Sequence, residues 1–178
     1  MTHLGPRYGA LVQMSYVTRD MDAAIAHAET QLGITGFVRS RPEVEVLSYG
    51  VPRRLAVEAA IANLGTPGAV RQFEIIAPVA GAIEVYEGTA SRDALLAFHH
   101  VGIAVPGPYA AWEALLADVR ASGDPLALLF PAAPSPGTKL CFCYVDTRAR
   151  LGHVTEYLWA DPSLAGIAAA PWLGPPRS

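Results

Sequence analysis

Four side chains that can bind a divalent cation stand in short apolar stretches of this 178-residue chain. The clearest stretch spans residues 98–106, where small and β-branched residues predict a strand that ends at Pro106. It contains His100, which is costly to bury unless it is hydrogen-bonded or bound to a metal. For one histidine alone, a hydrogen-bonded core residue is the simpler interpretation. The rest of the sequence shifts the balance toward a site.

An internal repeat supplies the second ligand-type residue. Residues 11–18 can be aligned with the stretch around His100, and the alignment places Gln13 on His100 and Ser15 on Gly102. Each copy is followed by a helix-like run. The repeat is weak in sequence identity but consistent in the order of its elements. Such repetition indicates a fold built from two similar halves.

Two carboxylates complete the pattern. Segments 72–76 and 154–158 also match each other, and each places one glutamate, Glu74 or Glu156, inside an otherwise apolar strand. Each half of the chain therefore begins with a strand that carries one ligand-type residue and ends with a strand that carries another.

Strand alternation indicates which side chains share a face. If each half curls its sheet and the halves pair about a pseudo-twofold axis, the four side chains point inward together. A glutamate buried without a partner would cost several kcal/mol or take up a proton. Two carboxylates facing one imidazole and one amide oxygen instead match a divalent cation site.

Composition limits the class of protein. An apolar fraction of 52% and a charged fraction of 16% indicate a well-cored globular chain. The net charge of −3 argues against a nucleic-acid surface. The sequence contains no run of about 18 apolar residues, so no membrane span is predicted. The N-terminus lacks the pattern of a secretion signal. We therefore expect a cytoplasmic protein, in which Cys141 and Cys143 are buried, reduced and apolar in role.

The predicted elements form one domain, 1–178, in which two βαβββ modules are joined by a connector. The first module covers about 10–78, the connector about 79–97, the second module about 98–160 and the tail 161–178. We expect the tail to wrap a surface, with Trp172 as its anchor, or to meet a partner subunit. The predicted helices cover 20–32 and 109–121, with a short helix within 82–97. The predicted strands are 10–18, 36–40, 44–49, 55–64, 70–77, 98–105, 125–130, 139–145 and 153–159.

Four phrases in this order resemble the vicinal oxygen chelate superfamily, which includes glyoxalase I, methylmalonyl-CoA epimerase, extradiol dioxygenases and bleomycin-resistance proteins. The phrases lie at 13–22, 73–78, 99–105 and 151–158. The resemblance implies an α+β fold in which paired βαβββ modules form a U-shaped, partly closed mixed β-barrel around a metal. It is specific for the superfamily, not for one reaction.

The resemblance also implies ligand roles for Gln13, Glu74, His100 and Glu156. Glyoxalase I enzymes use a His or Gln, then Glu, His and Glu. A neutral amide, one imidazole and two carboxylates balance a divalent ion, and the set suits Zn, Ni, Co or Mn. Extradiol dioxygenases hold Fe(II) with two histidines and one carboxylate. Gln13 stands where their first histidine would be expected, so iron is less favoured.

The implied chemistry is proton transfer next to a carbonyl, with a metal-stabilised enediolate or enolate. Glu156 is the favoured base and Glu74 the second choice. The favoured function is a glyoxalase-like isomerase, epimerase or lyase acting on a small oxygenated substrate. The alternative is a bleomycin-resistance-type binding protein without catalysis, and an extradiol-type dioxygenase is third. The resemblance makes a homodimer possible.

Other polar residues receive simpler interpretations. By alternation, His99 and His153 point away from the ligand face, and a supporting role for either is the less favoured alternative. Asp146 is interpreted as a turn former. The residues that hold glutathione in glyoxalase I are not recognisable, so glutathione is not supported. Four cations are candidates for an anionic substrate, although surface charge is favoured for each: Arg53, Arg54, Arg71 and Lys139.

Overall fold

A computed structural model describes residues 6–64, 72–89 and 94–164 of the chain. The nine strands are β1 (Ala10–Val17), β2 (Val38–Ser40), β3 (Glu43–Ser48), β4 (Val51–Asn63), β5 (Gln72–Gly81), β6 (Ala97–Ala104), β7 (Leu126–Phe130), β8 (Leu140–Val145) and β9 (Val154–Ala160). The α-helices are α1 (Met21–Gln31), α2 (Glu84–Glu87), α3 (Tyr109–Ser122) and α4 (Arg148–Leu151).

The strands form one mixed sheet that closes into a barrel. The order is β2-β4-β3-β7-β8-β9-β6-β1-β5, and pairing of β4 with β5 completes the closure. β2 and β3 pair in turn with the same strand, β4, so that they behave as one strand interrupted at Pro42. Each half of the chain thus has a βαβββ order, which confirms the predicted α+β class and paired modules.

Two seams join the halves. At the first seam, β1 and β6 run antiparallel over most of their length. At the second seam, β3 and β7 share two residue pairs, Leu47 with Leu129 and Ser48 with Leu128. The second seam is therefore the narrower connection, in agreement with the partly closed barrel that the sequence resemblance implied.

The helices α1 and α3 pack against the outside of the sheet with different side chains. Asp20 caps α1 by accepting a hydrogen bond from the Ala23 amide, and Ala24 and Ala28 are its fully buried contacts. The buried face of α3 carries larger residues, namely Trp112, Leu115, Leu116 and Val119. Gly123, at φ 82°, ends α3 in the left-handed conformation that glycine favours.

Most predicted elements occur close to their expected bounds. The main differences are that β4 begins at Val51 instead of residue 55 and that β5 continues to Gly81. The helix α4 was not predicted. Cys141 and Cys143 are buried and unpaired with each other, as expected. The Trp172 prediction lies outside the described residues, as do residues 70 and 71 of the predicted strand 70–77.

No helix within the described ranges is both long enough and apolar enough to cross a membrane.

Candidate metal centre

The barrel brings the four predicted ligand residues to one cavity. Gln13 on β1, Glu74 on β5 and Glu156 on β9 all line it. His100 on β6 is fully buried beside them, and its Nε2 lies 3.2 Å from Glu156 Oε2 and 3.5 Å from Glu74 Oε2. Residues far apart along the chain therefore line or border one cavity inside the barrel.

Strand register explains this convergence. Glu74 pairs with Ser15, which lies two positions after Gln13. In the same way, Glu156 pairs with Gly102, which lies two positions after His100. Across the β1–β6 seam, Gln13 pairs with Gly102, and His100 pairs with Ser15. Because side chains two apart share a face, all four ligand residues point into the barrel. The two intervening residues are small, so they leave room between the ligands.

Gly102 is required by this packing. A Cβ atom at this position would lie 2.8 Å from Gln13 Oε1 and 2.9 Å from Gln13 Cβ. Gln13 Nε2 donates a 3.5 Å hydrogen bond to Gln72 Oε1. The Gln13 carbonyl oxygen therefore points away from Gln72, toward Gly102. The glycine thus provides the space that the glutamine side chain occupies.

Several buried acceptor atoms lack a hydrogen-bond partner among the described residues: Gln13 Oε1, His100 Nε2 and Glu156 Oε2. Buried polar atoms are normally paired, so each unpaired one needs an explanation. Two ligands bound about 2.1 Å from one cation stand roughly 3.0–3.4 Å apart. The separations of 3.2 and 3.5 Å between His100 and the carboxylates are close to that range. The donor set therefore fits a cation.

The ligands do not form a finished coordination shell. Among the described residues, no three His, Cys, Asp or Glu side chains meet the geometry of a metal site as they stand. An imidazole lone pair that faces a carboxylate oxygen requires a proton or a cation between them. The same contacts are therefore compatible with a proton held at the centre, which a metal would displace.

A hydrogen-bond chain fixes the orientation of His100. His99 Nε2 donates to the Val85 carbonyl at 3.0 Å, since a carbonyl can only accept. In a neutral ring His99 Nδ1 is then an acceptor, so His100 Nδ1, 2.8 Å away, must donate to it. His100 Nε2 is left with its lone pair toward the two carboxylates. This is the arrangement by which proteins orient a metal-binding histidine.

The position of His99 corrects the alternation argument, which placed it on the opposite face. The β1–β6 register shifts between the Ser15–His100 pair and the Tyr16–Phe98 pair, so β6 contains one extra residue, a β-bulge at His99. The bulge brings two consecutive imidazoles together. A sequence pattern read with a strict period of two cannot show it.

Burial dominates the ionisation of the centre. It raises the pKa of Glu74 to about 7, an effect that the neighbouring His100 opposes. Burial also raises the pKa of Glu156 well above its usual value. It lowers the pKa of His100 to about 4 and that of His99 to about 3, so both rings are neutral at pH 7. Neutral imidazoles are the form that binds metals.

The cavity extends from the ligands along the inside of the barrel. Counted out to its open mouth, it has an empty volume of about 700 Å³. Tyr86 and Tyr144 line it near the ligands, and the Tyr144 ring lies 4.9 Å from the His100 ring. The remaining wall is mostly apolar and includes Phe130 and Phe142, whose rings stack at 5.0 Å. In the sequence these aromatic residues resemble ordinary core residues, and nothing in their spacing marks them as part of the site.

The other predicted polar residues lie elsewhere. Arg53 pairs with Glu84, Arg54 with Glu43, and Lys139 with Asp161, and none of the three cations lines the cavity. Arg71 lies outside the described residues. Asp146 accepts hydrogen bonds from the Arg148 amide and guanidinium, which confirms its turn role. His153 is half-buried, and its Nδ1 lies 2.8 Å from the Val154 carbonyl oxygen.

Comparison with solved structures identifies the fold. A variant of Streptomyces coelicolor methylmalonyl-CoA epimerase in complex with 2-nitronate-propionyl-CoA is 15% identical, with a TM-score of 0.52 over 86% of this chain and 98% of that chain. A methylmalonyl-CoA epimerase in complex with methylmalonyl-CoA and NH4+ gives the same identity and TM-score, over 86% and 95%. A hypothetical protein from Bacillus halodurans is also 15% identical, with a TM-score of 0.51 over 85% and 94%.

No protein-family model matches the sequence, and no curated protein matches it. The structural likeness spans most of each chain, and it agrees with the paired modules described above. The chain therefore has the fold of the vicinal oxygen chelate superfamily, as represented by methylmalonyl-CoA epimerase.

Proposed function

We propose that this protein is a divalent-metal-dependent enzyme that moves a proton on the carbon next to a carbonyl group, as an epimerase or isomerase. One observation carries the proposal. Three buried acceptor atoms, from Gln13, His100 and Glu156, share one site in which no described residue donates a hydrogen bond to them. Leaving such atoms unpaired costs free energy in each case, and a bound cation would recover that cost.

The residues that would hold the cation are Gln13, Glu74, His100 and Glu156. Nitrogen and carboxylate oxygen donors suit Zn, Ni, Co or Mn, whereas Fe(II) oxygenases use two histidines and one carboxylate. A cation held there would polarise the substrate carbonyl and stabilise the negative charge that develops on its oxygen. His99 would keep the His100 lone pair directed at it.

The proton would be carried by a carboxylate of the centre. We assign this role first to Glu156, whose Oε2 is unpaired among the described residues, and second to Glu74. A base is most effective when its pKa lies near the working pH, and burial in the barrel moves both carboxyls in that direction. The surrounding apolar wall excludes water, which protects a carbanion-like species from unwanted protonation.

The structural neighbours support this class of reaction. Two of them are epimerases in complex with acyl-CoA compounds, and epimerisation requires proton removal and return at one carbon.

Proton exchange in D2O tests the proposal. Protein loaded with Zn, Ni, Co or Mn is incubated with 2-hydroxyacetophenone, and loss of the exchangeable C–H signal is followed by NMR. We expect metal-dependent exchange that Glu156→Gln lowers by about 10²-fold or more, the size typical of a lost acid–base group. Glu58→Gln is the control, since Glu58 pairs with Arg39 and Arg41 on the surface.

Unchanged exchange in Glu156→Gln, with loss in Glu74→Gln, would transfer the role to Glu74. Ligand binding without any exchange would favour the bleomycin-resistance-type binding protein, for which the apolar cavity is also suitable. Metal analysis of untagged protein tests the third possibility, an extradiol-type dioxygenase. Fe(II) with oxygen uptake would favour the dioxygenase and contradict the proposal.

A further inference from the structure

The cavity wall beyond the ligands is almost entirely hydrocarbon. Apart from the ligand residues, its polar members are Ser40 and the two tyrosines. The apolar members come mainly from the first half of the chain, and they include Pro42, Val44, Leu55, Val57, Ile61 and Ile76. Phe130 and Phe142 face them from the second half. A ligand held by its oxygens at the centre must therefore place the rest of its body against apolar side chains.

The charge of the cavity points in the same direction. Among the described residues that line it, none is a lysine or arginine. Arg41 lies between two lining residues in sequence, but its guanidinium bonds Glu58 and is largely exposed. A divalent cation with two glutamates is already neutral in total. A free carboxylate of the substrate would enter as an uncompensated buried charge, which is costly.

We infer that this site takes a neutral carbonyl compound that has paired oxygens at one end and an aromatic or branched hydrocarbon body at the other. The inference rests on the proposed function for the role of the oxygens. The preference for the hydrocarbon body depends on the cavity wall alone. It separates this protein from an enzyme for substrates with a free carboxylate, such as the methylmalonyl-CoA bound in one structural neighbour.

Three small probes test the inference with the full chain. 2-Hydroxyacetophenone carries the paired oxygens and a phenyl ring, hydroxyacetone carries the oxygens without the ring, and the 4-carboxylate derivative of the first adds a charge. Dissociation constants are measured by NMR titration, once with EDTA-treated protein and once with Co-loaded protein. In both forms we expect the phenyl compound to bind at least tenfold tighter than either of the other two, since ring burial does not require the metal.

Substitutions in the cavity wall test whether its aromatic residues cause the preference for the phenyl compound. Phe142→Ala should reduce the advantage of the ring severalfold and leave hydroxyacetone binding unchanged. Phe130→Ala, on the stacked partner, is a second variant in case the first does not fold. Phe37→Ala is the matched control, because Phe37 packs with Phe73 beneath α1 instead of lining the cavity.

The outcomes distinguish this inference from the proposed function. Equal binding of hydroxyacetone and 2-hydroxyacetophenone, or tighter binding of the carboxylate, would overturn the inference even if metal-dependent exchange is found. A ring preference in EDTA-treated protein that Phe142→Ala removes would support it even if no metal binds and no proton exchanges. In that second case only the enzymatic proposal would fail.

Discussion

The two halves of this barrel share a backbone plan but differ in the chemistry they bring to it. In each half the glutamate sits opposite a small residue, Ser15 or Gly102, that lies two positions after the first ligand residue. The first half supplies an amide and a carboxylate, while the second supplies an imidazole and a carboxylate. A repeated strand arrangement has thus produced an asymmetric site.

The support behind each ligand shows the same asymmetry. His100 is held by a two-step chain through His99 to the Val85 carbonyl, with contacts of 2.8 and 3.0 Å. Gln13 makes one hydrogen bond of 3.5 Å, and its partner is the Gln72 side chain instead of a backbone group. The second half therefore orients its ligand more firmly. We interpret it as the half that would set the position of a bound cation.

The two halves also differ in the helix that packs outside the sheet, α1 or α3. We expect the largest effect on the free energy of unfolding from substitutions in these helices. Trp112 is fully buried under α3, so Trp112→Ala should cost about 3–5 kcal/mol. Ala28 is equally buried under α1 but small, and Ala28→Gly should cost about 1 kcal/mol. Urea denaturation of both variants measures the difference. Similar costs would show that the two helices stabilise the barrel equally.

Replacing the support of each ligand compares the two halves at the centre. His99→Phe removes the acceptor for His100 Nδ1–H, and we expect metal affinity to fall by roughly 10–100-fold. Gln72→Leu removes only the longer bond to Gln13, so its effect should be smaller. His99→Asn, which retains an acceptor, should recover part of the loss. Calorimetric titration with Zn or Co gives the affinities, and a larger effect of Gln72→Leu would reverse the ranking of the halves.

The smallest effect concerns pH and separates the two carboxylates. The Glu74 pKa is raised from 4.5 to about 7 in the folded state, so the folded protein holds the proton more tightly than the unfolded chain. Its stabilising contribution is then lost as pH rises through about 7. The pKa values of His100 and His99 fall from 6.5 when unfolded to about 4 and about 3 when folded, which opposes this trend up to about pH 7. The Glu156 carboxyl, whose pKa is raised well above its usual value, adds to the decrease, so metal-free protein should lose thermal stability from about pH 7 to about 8.

Thermal melts of EDTA-treated protein across this range provide the measurement. Glu74→Gln should flatten the decrease near pH 7, whereas the Glu156 carboxyl, with its pKa well above the usual value, should retain its proton longer. Saturating divalent metal should reverse the trend, since a metal competes with the protons. A melting temperature that rises with pH in the metal-free protein would contradict the assignment.

Much of the fold could be predicted because its signals are local. Strands such as β6 and β9 follow apolar patterns, and α3 shows its large apolar residues at helical spacing. The start of β4 was missed because its first four residues include Pro52 and two arginines, which do not resemble a strand. Those residues belong to an exposed hairpin, where pairing instead of burial defines the strand.

The site was predictable only in part, for a related reason. The ligand residues could be found because repetition places them at equivalent positions of matched strands. His99 could not, because a bulge depends on the register between β1 and β6, which no local pattern contains. The cavity wall depends on how two distant hairpins curl over the centre. Aromatic residues such as Phe142 therefore resembled ordinary core residues in the sequence.

The antiparallel β1–β6 pairing places Gln13 opposite Gly102 and His100 opposite Ser15. A slip of one residue between these strands would turn one strand's ligands to the outer face, since strand faces alternate. Neither half holds all four donors, so a collapsed chain with mispaired strands would have no centre at all. Tight cation uptake would then report native strand pairing, and refolding could be followed by it where compactness alone is uninformative.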